Sequence, residues 1–508
     1  MKPTTIAKMI AALLLIQSAA VLAACGGDSS AAPSPASTTA AAEGGQEIAE
    51  TEEETANPYD PGLPEADFGG YDFRFAVRGY EGSTGAWHNH DIVSEELNGE
   101  ALNDAVYNRN LYLKEKYNVD ISVLYFGETG VALTGSEMSN AVKKSVMAGD
   151  DTFDAIISSP YDSVGYMQNG WILDLSEIPN LNLSRPWWDQ NALEELSFGS
   201  KVYFTVGELS YIDNKATQVT LFSKQVVGDF GIDNPYDAVR NGTWTLDKLI
   251  SDANAVTSDL DGDGKVTETD RVGYTYWQDD CFGMINATGN AFGRIVDGLP
   301  ELTLYNEKMV STWDKLISFL NQDSTMNFWN ERTVTKDLTG EEAFSQTING
   351  GHALYSFGYI FHVIYMRQNE TDFGVLPKPK YDEAQDRYYC TGHAYGTAFV
   401  SVPVTAQDVD RTGFLLEAFS AKSMELVTPA FYDITLVTKS ARDEESVEMI
   451  DLIFRSKKYD IGYYFMWGDL TNKVMDAWNK KDPEFTSMYQ KREEKALKDL
   501  EKAKELFE

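Results

Sequence analysis

The chain has 508 residues and a formal charge of −37, from 42 Lys and Arg against 79 Asp and Glu. Such a surface repels nucleic acid and anionic lipid, which excludes both as electrostatic partners and leaves a neutral ligand open. A hydrophobic fraction of 43% is ample for a large core, and at ~150 residues per domain the chain is long enough for two or three.

The first residues set the address. Lys2 and Lys8 lead into an apolar run that starts at Met9 and continues almost unbroken to Leu22, and small residues stand before Cys25. Charge, apolar core and small-residue cleavage site in that order read as a secretory signal peptide over residues 1–24, too short for a membrane span. The ending Leu22-Ala23-Ala24-Cys25 resembles the lipobox of bacterial lipoproteins. The resemblance implies cleavage before Cys25 and acylation of that residue, and two or more acyl chains hold a protein stably on a bilayer. Lipidation at Cys25 on the outer face of the cell membrane is the expectation. From Gly26 to Asp67 the chain is dominated by Ala, Ser, Thr, Pro, Gly and acids and has no Lys or Arg. It buries too little apolar surface to offset its ordering entropy, so residues 25–67 read as a lipidated cysteine followed by a disordered acidic tether.

Tyr71 to Val77 alternates as a strand should. A glycine-rich turn, Gly79 to Gly85, precedes a helical pattern from about Ser94 to Tyr117. Ile121 to Tyr125 reads as a second strand, and Glu137 to Ala148 as a helix that Gly149-Asp150-Asp151 stops. Phe153 to Ser158 reads as a buried strand of the parallel type, with a short helix after it. This alternation predicts an α/β domain with a mainly parallel sheet. Ligands in such sheets bind at the carboxyl ends of strands, which singles out the loops Gly79–Asp91 and Ser158–Asp162. His88-Asn89-His90 offers two histidines but no third ligand, so it reads as a solvated loop.

The sharpest local motif runs from Asp259 to Asp270. Asp259, Asp261 and Asp263 occupy positions 1, 3 and 5 of a twelve-residue calcium loop, with Gly264 at 6, the Lys265 carbonyl at 7, Thr267 at 9 and Asp270 at 12. A hard cation needs six to eight oxygens, and alternate residues of a tight loop deliver them. Asp in place of Glu at the last position shortens that arm and weakens the expected binding. Calcium is expected here in a structural role, since no second long helix follows at once.

Four stretches between Leu113 and Pro379 have a shared likeness. Leu113 to Val123 runs from a helix into a strand, and Asp154 to Ile157 is followed by Gln168 to Leu175. Gly199 to Glu208 precedes Leu221 to Lys224 and Thr243 to Leu249, and Gly351 to Leu354 precedes Phe373 to Pro379. In this order they resemble the extracellular solute-binding proteins of ABC importers, in the carbohydrate-binding branch that includes the maltodextrin-binding proteins. The resemblance implies a two-lobed periplasmic-binding-protein-like α/β fold of type II, each lobe a mixed sheet flanked by helices, with ligand in the cleft. It maps lobe one to 68–209 plus 377–420 and lobe two to 210–376 plus 421–508. Cys281 then falls in lobe two and Cys390 in lobe one. A bond between them would tie lobes that must move, so free thiols are expected.

Pyranose faces lie on aromatic rings while their polar edges are hydrogen-bonded. Among 10 Trp and 27 Tyr, those in the expected cleft loops are Trp87, Tyr161, Tyr211, Trp277, Tyr359 and Trp467. The resemblance puts Tyr161-Asp162 near a stacking ring and an acid, Glu208 at a cleft acid before the first crossover, Tyr359 beside a stacking position and Met466-Trp467 at a late aromatic pair. Trp244, at a helix start, reads as packing. The implied protein is a monomeric, lipid-anchored receptor, not an enzyme. It captures a carbohydrate, expected to be an oligosaccharide, and hands it to an ABC permease by hinge closure. The rival readings are a surface glycoside hydrolase and a sensory or adhesion module on the same fold. The chain shows no nucleophile elbow, zinc-protease helix motif or phosphate-binding glycine loop.

Overall fold

The computed structural model describes residues 57–81, 85–127, 136–368, 372–436 and 444–506. The expected signal peptide, Cys25 and the tether up to residue 56 lie outside the described residues. Among the described residues no helix is long and apolar enough to cross a membrane.

In chain order the strands are β1 Tyr71–Arg78, β2 Val119–Phe126, β3 Ala155–Ser158, β4 Gln218–Ser223, β5 Val272–Tyr276, β6 Gly293–Val296, β7 Leu299–Leu302, β8 Thr325–Asn327, β9 Ala353–Tyr359, β10 Phe373–Leu376, β11 Cys390–Thr391, β12 Phe399–Ser401 and β13 Lys457–Lys458. The first sheet runs β12-β3-β1-β2, with β1 parallel to β2 and β3, and β12 antiparallel at the edge. Successive side chains of a strand point to opposite faces. Phe73, Phe75 and Val77 of β1 accordingly enter one core while Ala76 enters another. Both faces are covered, as a parallel sheet requires. The second sheet runs β10-β4-β9-β5-β8 and is mixed: β9, β5 and β8 are parallel, and β4 is antiparallel to β9 and β10.

The chain crosses between the sheets before β4, between β10 and β12, and along the helix Val409–Leu436. The first two crossings run side by side. Thr217 bridges Gly392, and the His393 N–H donates to the Ala216 carbonyl at 2.9 Å. The third packs on the helices Ala101–Tyr117 and Ile360–Gln368. Residues 420 and 421, the expected boundary between lobes, fall inside this unbroken helix.

Three expectations need correction. The first long helix begins at Ala101 rather than near Ser94, because Asp104 accepts the N–H groups of Asn98 (3.0 Å) and Gly99 (3.3 Å) and holds the preceding residues in a turn. Residues 57–67 are not part of a structureless tether. Leu63 and Ala66 pack against the first core, and the Asn118 amide donates to Asp67 at 2.8 Å. A segment with few apolar residues needs no core of its own when it docks on one already formed. Cys390, mapped to lobe one, packs among Val219, Leu221 and Val375 of the second sheet's core. Both Cys281 and Cys390 are buried free thiols, but the separation of lobes is not what keeps them so.

Candidate functional site

The residues that follow β1, β3, β5 and β9 meet the second crossing at one place. Trp87, in the loop after β1, lies flat on His393 with ring centroids 5.4 Å apart and 25° between planes. Its edges meet Tyr359 (5.4 Å), the last residue of β9, and Phe361 (4.9 Å) just after it. Gly396 makes room for the indole, since a Cβ there would sit 2.7 Å from the ring. Arg78 closes the arrangement from the end of β1 by donating to the carbonyls of Gly396 (2.8 Å) and Thr397 (3.3 Å).

His393 links this cluster to β5. Its Nδ1 accepts from the Gly396 N–H at 3.0 Å, which leaves the proton on Nε2 to donate to the Asp279 carboxylate at 3.1 Å. The Tyr359 hydroxyl donates to the same oxygen at 3.4 Å. Asp279 stands at the start of the helix Asp280–Ala287. The adjacent Asp280 forms a fully buried ion pair with Lys378 and accepts from the Tyr274 hydroxyl, which fixes the helix start beneath the site.

From the first sheet comes the helix Pro160–Gln168. Ser159 caps it by accepting from the Asp162 N–H, and Pro160 fits the first helical position. Tyr161 is thereby set edge-on to Tyr463 (6.1 Å, 87°), which stacks on Phe282 (4.3 Å, 28°). Asp162 accepts from the Ser136 (3.2 Å) and Ser159 (3.1 Å) hydroxyls, and burial pushes its carboxyl above the usual range. The site thus combines ring faces with a donor–acceptor pair and a buried acid, the mixture that grips a polyhydroxylated ring.

Of the residues expected from sequence, Trp87, Tyr161, Asp162 and Tyr359 come to this site. Trp277 lies at its rim, 6.5 Å from Phe357 and 5.9 Å from Trp329. Glu208 and Tyr211 do not come to it. Both face the crossing helix Val409–Leu436, where Glu208 accepts from the Thr428 hydroxyl and Tyr211 stacks on Phe431 (4.9 Å, 16°). Trp467 is 2% exposed and packs on Phe465, with Gly293 so close that a Cβ there would lie 2.4 Å from the indole. Among the described residues it makes no contact with the His393 cluster; its indole packs in the core and borders a separate recess lined by Met466, Asp469 and Asn472. Sequence reasoning missed Arg78, Asp279, His393 and Tyr463. The only signal for His393 is its place between Gly392 and Gly396 in the second crossing.

The loop Gly79–Asp91 is not solvated where it carries its histidines. His88 is 5% exposed and the His90 ring bonds the Gly85 carbonyl at 3.0 Å. Asp91, fully buried, accepts from the Ser210 hydroxyl (2.5 Å) and the Tyr211 N–H (2.9 Å). Those bonds tie the loop carrying Trp87 to the first crossing.

No family model and no curated protein matches the sequence. Solved structures do match the fold. The galacto-N-biose/lacto-N-biose I-binding protein of the ABC transporter from Bifidobacterium longum, in complex with lacto-N-biose, aligns with a TM-score of 0.54 and 12% identity over 86% of this chain and 98% of its own. An ABC substrate-binding protein from Listeria monocytogenes in complex with cycloalternan gives 0.52 and 13% over 84% and 98%. An ABC transporter solute-binding protein from Agrobacterium radiobacter K84 in complex with ribitol gives 0.51 and 11% over 85% and 99%. The fold is that of the two-lobed solute-binding proteins. These neighbours are transport-associated binding proteins, not enzymes.

On the second sheet of this solute-binding fold, the acidic loop joins the helix Leu246–Val256 to β5. Oxygens of Asp259, Asp261 and Asp263 lie within 4.8 Å of one another, all exposed. Gly262 and Gly264 supply the positive φ of 75° and 84° that the tight turn demands. Asp270 does not join the three. It is 1% exposed, and its carboxylate accepts the N–H groups of Leu260 and Thr267 (2.8 Å each) and the Thr267 hydroxyl (3.0 Å). The carboxylates that converge are therefore those of Asp259, Asp261 and Asp263.

Proposed function

We propose that this chain captures a carbohydrate between its two lobes and delivers it to an ABC permease. The observation that carries the reading is the meeting of Trp87, Tyr161, Tyr359 and Tyr463 around the His393–Asp279 pair, with contributions from strand ends of both sheets. The rings offer apolar faces for sugar C–H groups, and the pair and Asp162 offer partners for hydroxyls. The rings touch one another, so a seated sugar parts Trp87 from Tyr359 and His393. A ligand held by one lobe thus recruits the other, and the closed form is the one the permease reads. The neighbours' ligands run from ribitol to cycloalternan, which supports the class rather than a chain length. Thermal shifts against a glycan panel test it, since a ligand at 100 times its Kd adds ~2.7 kcal/mol. Stabilisation by peptides or amino acids, with none by any glycan, overturns it.

The proposal includes the anchor. Acyl chains on Cys25 hold the receptor on the outer face of the cell membrane, a reading supported by the lipobox-like Leu22–Cys25. Cys25→Ala is expected to release the protein or leave it unprocessed, and membrane partitioning unchanged from wild type sinks that part. The proposal also gives loop 259–270 a structural calcium ion, supported by the three convergent carboxylates.

A further inference from the structure

β9, β5 and β8 are neighbouring parallel strands, so their carboxyl ends open on the same side of the second sheet. Each end carries aromatic rings. Tyr359 ends β9 and Phe361 follows it, Trp277 follows β5, and Trp329 lies in the short helix Phe328–Glu331 that follows β8. The rings form a continuous line: Trp87 to Phe361 (4.9 Å), Phe361 to Tyr359 (5.9 Å), Tyr359 to Phe357 (5.0 Å), Phe357 to Trp277 (6.5 Å) and Trp277 to Trp329 (5.9 Å). Trp87 and Phe361 are partly buried, and from Tyr359 outward exposure rises from 1% to 46% at Trp329. β8 is the edge strand, so the line leads from the enclosed site out to the rim.

The outer end is a built platform rather than a stray surface ring. Arg332 lays its guanidinium 4.2 Å over Trp329, yet its Nη1 is buried without a hydrogen-bond partner. The Asn479 side-chain oxygen is likewise buried and unpartnered, while its Nδ2 donates to the Gln278 Oε1 at 3.5 Å. Buried polar atoms without partners cost free energy unless something bonds them. The Glu268 carboxylate accepts the N–H groups of Thr333, Val334 and Thr335, which holds the chain just beyond Arg332 in place.

We propose that Trp277 and Trp329, with the Arg332 guanidinium and the Gln278–Asn479 amides, form an outer subsite for a further pyranose unit of a ligand whose inner end lies at Trp87 and Tyr359. The inference rests on the carbohydrate reading and adds that the ligand is an oligosaccharide extending past the enclosed site over the lobe-two rim. Adjacent strands stand ~4.8 Å apart, a spacing comparable to one sugar unit, so successive strand ends match successive units.

The test is calorimetry and thermal shift with malto-, isomalto-, cello-, xylo-, manno- and galacto-oligosaccharide ladders, each from disaccharide to hexasaccharide. Wild type is compared with Trp329→Ala and Arg332→Met, the second of which keeps the side-chain stem and removes the donors. The expected result is tighter binding of longer members by wild type. Trp329→Ala removes roughly tenfold or more of that gain and leaves the shortest bound member unaffected, and Arg332→Met shifts the same members. Wild-type binding that neither variant alters, or that both weaken equally at every length, overturns the outer subsite while leaving the carbohydrate reading intact. Wild type binding no member of any ladder overturns both.

Discussion

Trp87 lies flat on His393 although the two residues belong to segments far apart in the chain, and the missing side chain of Gly396 is what lets them meet. Trp87 is only partly buried, so it contributes more to the site than to the core. Trp87→Ala is expected to weaken glycan binding by roughly 1–3 kcal/mol with little change in melting temperature. Gly396→Ala, which pushes a methyl group into the indole, is expected to lower affinity in the same direction. Calorimetry with the best glycan of the panel checks both. Unchanged affinity in both variants would remove Trp87 from the site.

Trp467 behaves in the opposite way. Its indole is packed against Phe465 and Gly293, so Trp467→Ala leaves a cavity that costs about 3–5 kcal/mol of stability. Denaturant unfolding reads the loss, and glycan affinity of the folded fraction stays near wild type. A variant with normal stability and poor binding would return Trp467 to the cleft.

Lys378 and Asp280 are both fully buried. Removing one partner strands the other charge, so Lys378→Met is expected to cost about 3–5 kcal/mol. Adding Asp280→Asn should restore much of it, because no uncompensated charge remains. Equal losses in the single and double variants would show that packing, not charge, dominates there.

His362 sits between the rings of Phe344 (4.8 Å) and Phe361 (3.9 Å), and its Nδ1 accepts from the Tyr359 N–H at 3.0 Å. Burial pulls its imidazole down from 6.5 to about 3. The unfolded chain takes up that proton below its own value while the fold refuses it. The stability it contributes is complete above about 6.5 and is lost as pH falls toward 3, at up to about 1.4 kcal/mol per pH unit. His362→Gln keeps an acceptor but cannot be protonated, so its stability should fall less steeply on acidification. The buried carboxyls of Asp162 and Glu208, raised by burial, act in the opposite direction in both proteins and cancel from the comparison. Parallel pH profiles would refute the assignment.

Calcium removal should lower the melting temperature of the wild type, and Asp259→Ala should abolish that response, since Asp259 also accepts the Gly262 and Gly264 N–H groups that shape the loop. Metal analysis of the purified protein accompanies the melts. Protein without bound calcium, whose melting ignores both chelator and added ion, would reduce the loop to a turn.

The sequence by itself determined the features that depend on near neighbours. The helix Glu137–Ala148 has its expected bounds because Ser136 caps one end and Gly149, at φ 68°, ends the other. β1 and β3 were legible from alternation and from a short apolar run, and the spacing of Asp259, Asp261 and Asp263 is written in consecutive residues. Trp244 was legible as packing, since it stands one residue before a helix cap and its Nε1 donates inward to the Pro377 carbonyl at 2.9 Å. Tertiary structure decided which of many rings face a ligand. Tyr211 and Trp467 carry the same chemistry as Tyr161 and Trp87, but what lies opposite them is Phe431 in one case and Phe465 in the other. Tertiary structure likewise brought His393 to Asp279 across the crossings and turned Asp270 onto the Leu260 and Thr267 N–H groups. The physical reason is the range of the interactions. Caps, periodicity and turns act over a few residues and leave a local pattern, whereas burial and ring stacking depend on whichever segment the fold places opposite.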